Sequence, residues 1–427
     1  MKKIVSVVAV AMLTFSAVFA ADISIEYKTA GNVYSETKTK KDGKITKSTK
    51  TVLDQTGYDG ASSCFVLSAS SDVGGFLLDI DPDAAASTNE LDQWYAWVNF
   101  GNLQTTVGMW KSRYVDRVKE DAGNWADKDF ERYKPGVIGG VYANDIDNLT
   151  YNTVENHQKL ATALAYTIRP NDDVYFMTKA LIVNAGGTKT VADQWGGIGM
   201  NGDGEYNNYF FSGFAGEIAL KVNKLFDLNV AARSEKRNSL GLGVFIRPLM
   251  FDSANLLFGF SYGKNLADYG DDIESNYSEF AIDFRARIKL SDNLALTTMN
   301  NMSSFTDTKT KNAKVDPNKT IKLWDMVSLA YKSSEQLLLQ LTVESECAVY
   351  ARGVNKTGDE NVDYYVGDLG GINLSVIPGM TWTFNANAKL TAGLKFDFGG
   401  IRASADYKAA NEINTGFSVP VVFKVVL

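Results

Sequence analysis

Short stretches that alternate strictly between apolar and polar side chains recur from about residue 22 to the last residue, with turn-forming residues between them. The clearest is Asn276–Leu290, NYSEFAIDFRARIKL. Phe280, Ile282, Phe284, Ala286, Ile288 and Leu290 share one parity, while Glu279, Asp283, Arg285, Arg287 and Lys289 share the other. Successive side chains of a strand point to opposite faces, so this segment has one apolar face and one charged face. A soluble sandwich can use such a strand. Together with an apolar last strand, an export leader and many similar segments, the pattern predicts an all-β fold. That fold is a transmembrane, antiparallel up-and-down barrel, lipid outside and water inside.

The alternation marks roughly 19 to 22 segments, and because single-chain bacterial barrels have even counts, about 18 strands are expected, within a range of 16 to 22. The segments include Ala21–Glu36, Ser63–Ala69, Gln93–Phe100, Leu103–Trp110, Gln158–Arg169 and Val174–Val183. Later ones include Leu337–Val349, Gly371–Ile377, Thr381–Lys389, Thr391–Phe398, Ile401–Lys408 and Gly416–Leu427. Weaker segments lie near Gly75–Asp81, Val137–Ala143 and Leu149–Val154. Pro82, Pro135, Pro170, Pro248, Pro317 and Pro378 fall between segments, as a chain paired on both sides requires. Pro420 lies within the last one, which predicts a bulge there.

Connections alternate in length. Tight ones are PNDD (Pro170–Asp173), NKLFD (Asn223–Asp227), SDN (Ser291–Asn293), SSEQ (Ser333–Gln336) and IPGM (Ile377–Met380). Longer ones are Asn184–Asn208, Lys264–Ser275, Asp307–Thr320 and Arg352–Asp363. Outer-membrane barrels combine short periplasmic turns with longer extracellular loops, whereas a sandwich has no reason to alternate so regularly.

The leader is MKKIVSVVAVAMLTFSAVFA: a charged start at Lys2 and Lys3, an apolar run from Ile4 to Phe15, and a small-residue cleavage site before Ala21. This divides the chain into a signal peptide, 1–20, and a barrel, 21–427. No Cys follows the cut, so a lipid-anchored form is not expected, and no later run is long enough for a spanning helix. Removal of the leader takes the formal charge from −7 to −9, which argues against a nucleic-acid partner. With 36 glycines, 7 prolines, 20 tyrosines and 23 phenylalanines, the composition suits long paired strands with aromatic girdles. The strand phases place Cys64 toward the lumen and Cys347 toward lipid, which predicts two separate thiols rather than a disulfide.

The segment Trp94–Trp110, WYAWVNFGNLQTTVGMW, is a hairpin with Gly101-Asn102 at its turn. It resembles the hairpin of Gram-negative porins, in which a strand ending in Gly turns tightly into a Thr/Val-rich strand. The last strand, GFSVPVVFKVVL, has Phe417, Val419, Val421, Phe423, Val425 and Leu427 on one face and resembles the terminal signal read by the barrel-assembly machinery. Leu427 stands where porins usually end in Phe or Trp. In overall pattern, rather than in any motif, the chain also resembles outer-membrane proteins of spirochaetes. The resemblance implies an outer-membrane location, contact with outer-membrane lipid, no cofactor, and a homotrimer among the possible assemblies.

Candidate pore-lining residues come from two places. The charge-dense Arg113–Pro135, with Arg113, Arg117, Glu120, Asp127 and Arg132, is either a loop folded into the lumen or a solvated extracellular loop. The charges on the inner parity are the other set: Asp283, Arg285, Arg287 and Lys289; Gln340, Glu344 and Glu346; Arg402, Asp406 and Lys408. Arg or Lys at the bilayer midplane costs about 2–4 kcal/mol, so these should line either a water-filled pore or a plugged interior knitted by ion pairs, the open channel being the commoner outcome at this strand count. Asp79, Asp81, Asp83 and Glu90 have the spacing of a calcium loop, but Ala84 replaces the Gly that its sharp turn needs, which favours a plain acidic loop and no metal. His157, the only histidine, has no Ser or Asp pattern beside it that fits a membrane hydrolase.

The leading expectation is a porin, with passive diffusion of small hydrophilic solutes through a charged lumen and no catalysis. The alternative is a barrel that only displays surface loops as an adhesin or antigen. A membrane enzyme would rest on His157 alone.

Overall fold

The computed structural model describes residues 22–427 except 42–43, 55–63, 81–90, 110–160, 184–197, 201–205, 209–213, 235–238, 270–272, 310–317, 355–360, 366–371 and 401–411. The barrel strands are β1 (Asp22–Lys41), β2 (Lys44–Asp54 and Cys64–Ser70), β3 (Gly74–Ile80), β4 (Leu91–Phe100), β5 (Leu103–Met109) and β6 (Ala161–Asn171). They continue as β7 (Val174–Val183), β8 (Phe214–Val222), β9 (Phe226–Ser234), β10 (Ser239–Pro248), β11 (Ala254–Tyr269) and β12 (Ile273–Lys289). The last are β13 (Leu294–Lys309), β14 (Asn318–Lys332), β15 (Leu337–Val354), β16 (Asn361–Tyr365 and Asn373–Asn385), β17 (Ala388–Gly393 and Lys395–Gly400) and β18 (Glu412–Val426). The two pieces of β2 both pair with β1, those of β16 with β15, and those of β17 with β18, so each counts as one strand. A separate small hairpin, Ile198–Met200 with Tyr206–Asn208, lies between β7 and β8.

Every strand pairs antiparallel with its neighbours in sequence, and β18 pairs with β1 to close an 18-stranded up-and-down barrel. At the closing seam Ile25 N–H donates to Leu427 O (2.8 Å) and Leu427 N–H donates to Ile25 O (2.7 Å). The seam carries a bulge: Asn32 pairs with Pro420 and Ser35 with Ser418, so Val33 and Tyr34 together face one residue. The irregularity expected at Pro420 is therefore present, with the extra residue on β1.

The barrel has two unlike ends. At one, connections of two to five residues join the strands, among them 101–102, 172–173, 223–225, 291–293, 333–336 and 386–387. Gly101, at φ 58°, supplies the left-handed conformation of the first. Lys289–Asp292 (2.7 Å) and Lys332–Glu335 (2.9 Å) close two others with ion pairs. Apart from the small hairpin between β7 and β8, the connections at the opposite end lie outside the described residues.

Parity fixes the faces. Ile282 on β12 is 45% exposed while Asp283 and Arg285 beside it are 2% exposed, so the apolar parity points outward from the closed ring. The expected phases hold for Phe284, which packs on Phe258 (5.1 Å between rings) on the outer face, and for Cys347, a free thiol paired across from Leu323. Outer aromatics gather near both ends: Phe100, Tyr331 and Phe384 at the turn end, and Tyr34, Phe396 and Phe417 (rings 5.2–5.9 Å apart) toward the other. Among the described residues no helix is long and apolar enough to cross a membrane.

Three expectations are corrected. IPGM is not a turn: Pro378 lies inside β16, and the chain turns at Ala386-Asn387. Lacking an N–H, Pro378 accepts from Leu394 N–H (2.9 Å) but returns nothing, and β17 is interrupted at Leu394, opposite it. Lys264–Ser275 is mostly hairpin, since β11 and β12 stay paired as far as Tyr269 and Ile273. Its two faces are both polar there, so alternation fades while pairing persists. The same holds for Lys44–Asp54, KITKSTKTVLD, a strand that alternation does not mark. The weak segments near 137–143 and 149–154, and the expected strand Ile401–Lys408, lie outside the described residues.

Candidate functional site

The inner face of the barrel is where polar and charged side chains converge, and strand register arranges them in rows. One row runs Leu257, Arg285, Met299, Met326, Glu344, Ser375 and Asp397 across β11 to β17. The next, toward the loop end, runs Gly259, Asp283, Asn301, Trp324, Glu346 and Asn373.

Over β11 to β15 this inner wall is packed rather than open. Leu257, Arg285, Met299 and Met326 are all nearly inaccessible, and Arg285 Nη1 lies 3.3 Å from Met299 Sδ. Asn301 Nδ2 donates to Asp283 Oδ1 (2.8 Å). Below them, Ser328 and Thr342 share a hydrogen bond of 2.8 Å, and Gln340 Nε2 donates to Ser328 (2.8 Å). Buried polar groups are tolerated when they are bonded to each other, as Asn301 Nδ2 is to Asp283 and Ser328 is to Thr342. Ser375 Oγ donates to Asp397 (2.5 Å), which also meets Lys395 (3.5 Å). Asp283 and Arg285 lie on the inner parity of β12 and are each 2% exposed, within this packed stretch of wall. Arg287 and Lys289, two and four residues nearer the turn, are exposed.

Opposite in character is the turn-end rim. Tyr175, Lys221, Asp227 and Arg247 occupy one row on β7 to β10, with Arg169 stacked 4.9 Å over the Tyr175 ring. Lys221, Asp227 and Arg247, with Arg287, Lys289 and the β10–β11 connection, line a cavity of about 480 Å³. Across the barrel, Lys424 pairs with Glu26 (3.0 Å), and Lys389 lies beside Lys424 in register. Lys289 holds the Asp292 carboxyl of the adjoining turn below its ordinary pKa through a hydrogen bond and its charge.

On β3 to β5 the inner face carries Trp97 and Tyr95, rings 5.8 Å apart. Trp97 lies over Gly75, its partner in register; a Cβ there would come within 2.5 Å of the indole and 2.3 Å of the Ala69 carbonyl oxygen. Neither the Trp97–Gly75 contact nor the rim cavity stands out in the sequence. The basic residues of the rim do share the inner parity, which is the signal that could have found them.

Of the candidate pore-lining residues, the structure brings Asp283, Arg285, Arg287, Lys289, Glu344 and Glu346 to the inner face of adjacent strands. Arg113, Arg117, Glu120, Asp127, Arg132, Arg402, Asp406 and His157 lie outside the described residues, as does most of the acidic run from Asp79 to Glu90. Among the described residues no group of three or more His, Cys, Asp or Glu side chains is placed to hold a metal ion.

No protein-family model matches the chain, and no curated protein matches it. Among solved structures it is similar to OmpT, an outer membrane protein of Vibrio cholerae, with 11% identity over 95% of this chain and 98% of that one, and a TM-score of 0.41. It is similar to an anion-selective porin from Comamonas acidovorans at 11% identity, covering 95% and 100% of the two chains, with a TM-score of 0.46. The outer membrane channel DcaP of Acinetobacter baumannii shares 11% identity over 95% and 97%, with a TM-score of 0.40. These are likenesses of fold, and the chain itself is a closed 18-stranded antiparallel barrel.

Proposed function

We propose that this chain is an outer-membrane porin through which small hydrophilic solutes diffuse passively. In this reading residues 1–20 are removed on export, the apolar parity faces lipid, and the turn end is periplasmic. The observation that carries it is the division of faces on β12, with Ile282 and Phe284 outward and the exposed Arg287 and Lys289 inward. Two cations on one strand are cheap only where water reaches them. Pore-lining roles then fall to Arg287, Lys289, Glu344 and Glu346, with Asp283 and Arg285 bracing the wall behind them. Charges on the wall set ion preference.

A packed wall from β11 to β15 also suits the second reading, a barrel that only displays its loops, because a filled interior needs no solute. Conductance separates the two. Protein refolded into a planar bilayer should show discrete steps, and Arg287→Glu should shift its reversal potential toward cations. Stable insertion without steps would leave the display reading. Crosslinking in detergent tests the expected homotrimer.

A further inference from the structure

We propose that the outer face of β13 and β14 is a contact surface for a second copy of this chain. The two copies meet like face to like face about a two-fold axis along the membrane normal. The inference takes its bilayer placement from the porin reading and does not depend on conduction. On this face Asn300 Nδ2 donates to Asp325 Oδ1 (2.7 Å), and Thr298 Oγ1 donates to Asn300 Oδ1 (3.1 Å). Both members of the pair have capacity left over. Among the described residues nothing takes the second Asn300 amide hydrogen, and no donor reaches Asp325 Oδ2. Both side chains are only partly covered, with Phe284 and Ser345 completing the register row and Met302, Leu323 and Val327 around it. Hydrocarbon offers neither donors nor acceptors, so a carboxylate held outward within the apolar band calls for a partner from another polypeptide.

Symmetry selects the partner. Two copies inserted in the same direction can be related by a two-fold axis only along the membrane normal. Such an axis keeps depth and exchanges left with right. Passing between β13 and β14, it sets Asn300 of one copy opposite the partner's Asp325, and the reverse, so the row is its own complement. The two residues lie in register on neighbouring strands about 4.8 Å apart, and a strand tilt of about 40° puts one about 3 Å deeper than the other. Faces packed about 10 Å apart bring side chains of this length within hydrogen-bond range, and their rotation takes up the offset. The spare amide hydrogen of each copy then meets the spare carboxylate oxygen of the other. Leu323, Val327 and Met302 leave the contact apolar around this polar centre.

Site-directed crosslinking in lipid vesicles tests the contact. The background is Cys64→Ser with Cys347→Ser, so that a single introduced thiol reports. Val327→Cys lies beside the proposed axis, and Val244→Cys is a similarly exposed outward position on β10 (45% and 37% exposed for the two valines). At a low protein-to-lipid ratio, a short bis-maleimide linker should join Val327→Cys into dimers and join Val244→Cys only at the background of random collision. Asn300→Leu with Asp325→Leu should bring Val327→Cys down to that background while the barrel still folds, which heat-modified gel mobility confirms. Should that double variant fail to fold, the comparison of Val327→Cys with Val244→Cys decides alone. Equal linking at the two positions overturns the inference, as does linking at Val327→Cys that survives the double replacement, or a trimer in which Val327→Cys stays unlinked. Conductance is read on the same protein. Discrete steps without Val327→Cys dimers leave the porin reading and remove the contact, whereas dimers without steps keep the contact and remove the porin reading.

Discussion

Asn300 donates a 2.7 Å hydrogen bond to Asp325 on the outer face of β13 and β14, in the middle of a run of apolar side chains. Outward on β14 lie Ile321 and Leu323 on one side of Asp325 and Val327, Leu329 and Tyr331 on the other. Thr298 Oγ1 donates to Asn300 (3.1 Å), and Ser345 completes the row in register. Six residues from Tyr331, at a rise of ~3.4 Å and a tilt of about 40°, Asp325 sits about 15 Å above the turn-end girdle, near the middle of an apolar band about 25 Å tall. In a bilayer the two groups depend on each other.

Replacing one partner should therefore cost more than replacing both. Asn300→Leu leaves the carboxylate in hydrocarbon and should destabilise the barrel by about 1–3 kcal/mol, whereas the double replacement with Asp325→Leu should match or exceed wild type. Urea unfolding from lipid vesicles reads both. Additive losses would show that the pair is solvated.

The face assignment gives three distinguishable variants on one strand. Phe284→Arg puts a guanidinium into lipid and should cost about 2–4 kcal/mol. Arg285→Glu buries a carboxylate against Leu257, Met299 and Met326 and should cost at least about 2 kcal/mol. Arg287→Glu, on an exposed inner position, should stay within about 0.5 kcal/mol of wild type. Folding yield in vesicles ranks them, and a silent Phe284→Arg would invert the strand phase.

Gly75 and Trp97 test the inner wall elsewhere. Gly75→Ala should cost about 1–3 kcal/mol by overpacking. Trp97→Leu in the same chain should recover only part of it, because the Ala69 carbonyl still blocks the new methyl. Full recovery would place the whole conflict in the indole.

Near the β1–β2 hairpin tip, Lys47, Tyr34 and Lys38 all hydrogen-bond Glu36 and lower its pKa to about 2. A lowered carboxylate pKa adds stability that is complete above the ordinary value of 4.5 and is lost as pH falls toward 2. A carbon-13 titration of the Glu36 carboxyl should show its midpoint near 2, and Lys47→Met should return it toward 4.5. A midpoint near 4.5 in the wild type would mean that the cluster does not form in solution.

Alternation revealed the barrel wherever one face must be apolar and the other polar. It marked β12, β15 and β18 to within a few residues, and it placed Phe284 and Arg285 on opposite faces. It failed where that constraint lapses. Lys44–Asp54 and the far ends of β11 and β12 have two polar faces, and their backbone pairing leaves no trace in side-chain type. Pro378 misled for another reason: a barrel strand can lose one ladder bond and remain in register, held by its neighbours on both sides. At the candidate site parity identified the inner charges. Which of them are covered depends on neighbours such as Met299 and Met326, two and three strands away from Leu257, and no local pattern encodes that.

The hydrogen bonds between Ile25 and Leu427 join residues separated by nearly the whole chain. All other neighbouring strands can zip up with the strand just before them, but this pair must wait until the rest of the sheet has formed. Until then β1 and β18 are both raw edges with unpaired backbone groups, the feature that invites wrong partners. Closing a loop of that length is also the slowest step such a topology contains. Folding speed and susceptibility to aggregation should therefore be governed by the seam, with its Asn32–Pro420 bulge, far more than by the most tightly packed stretch of wall.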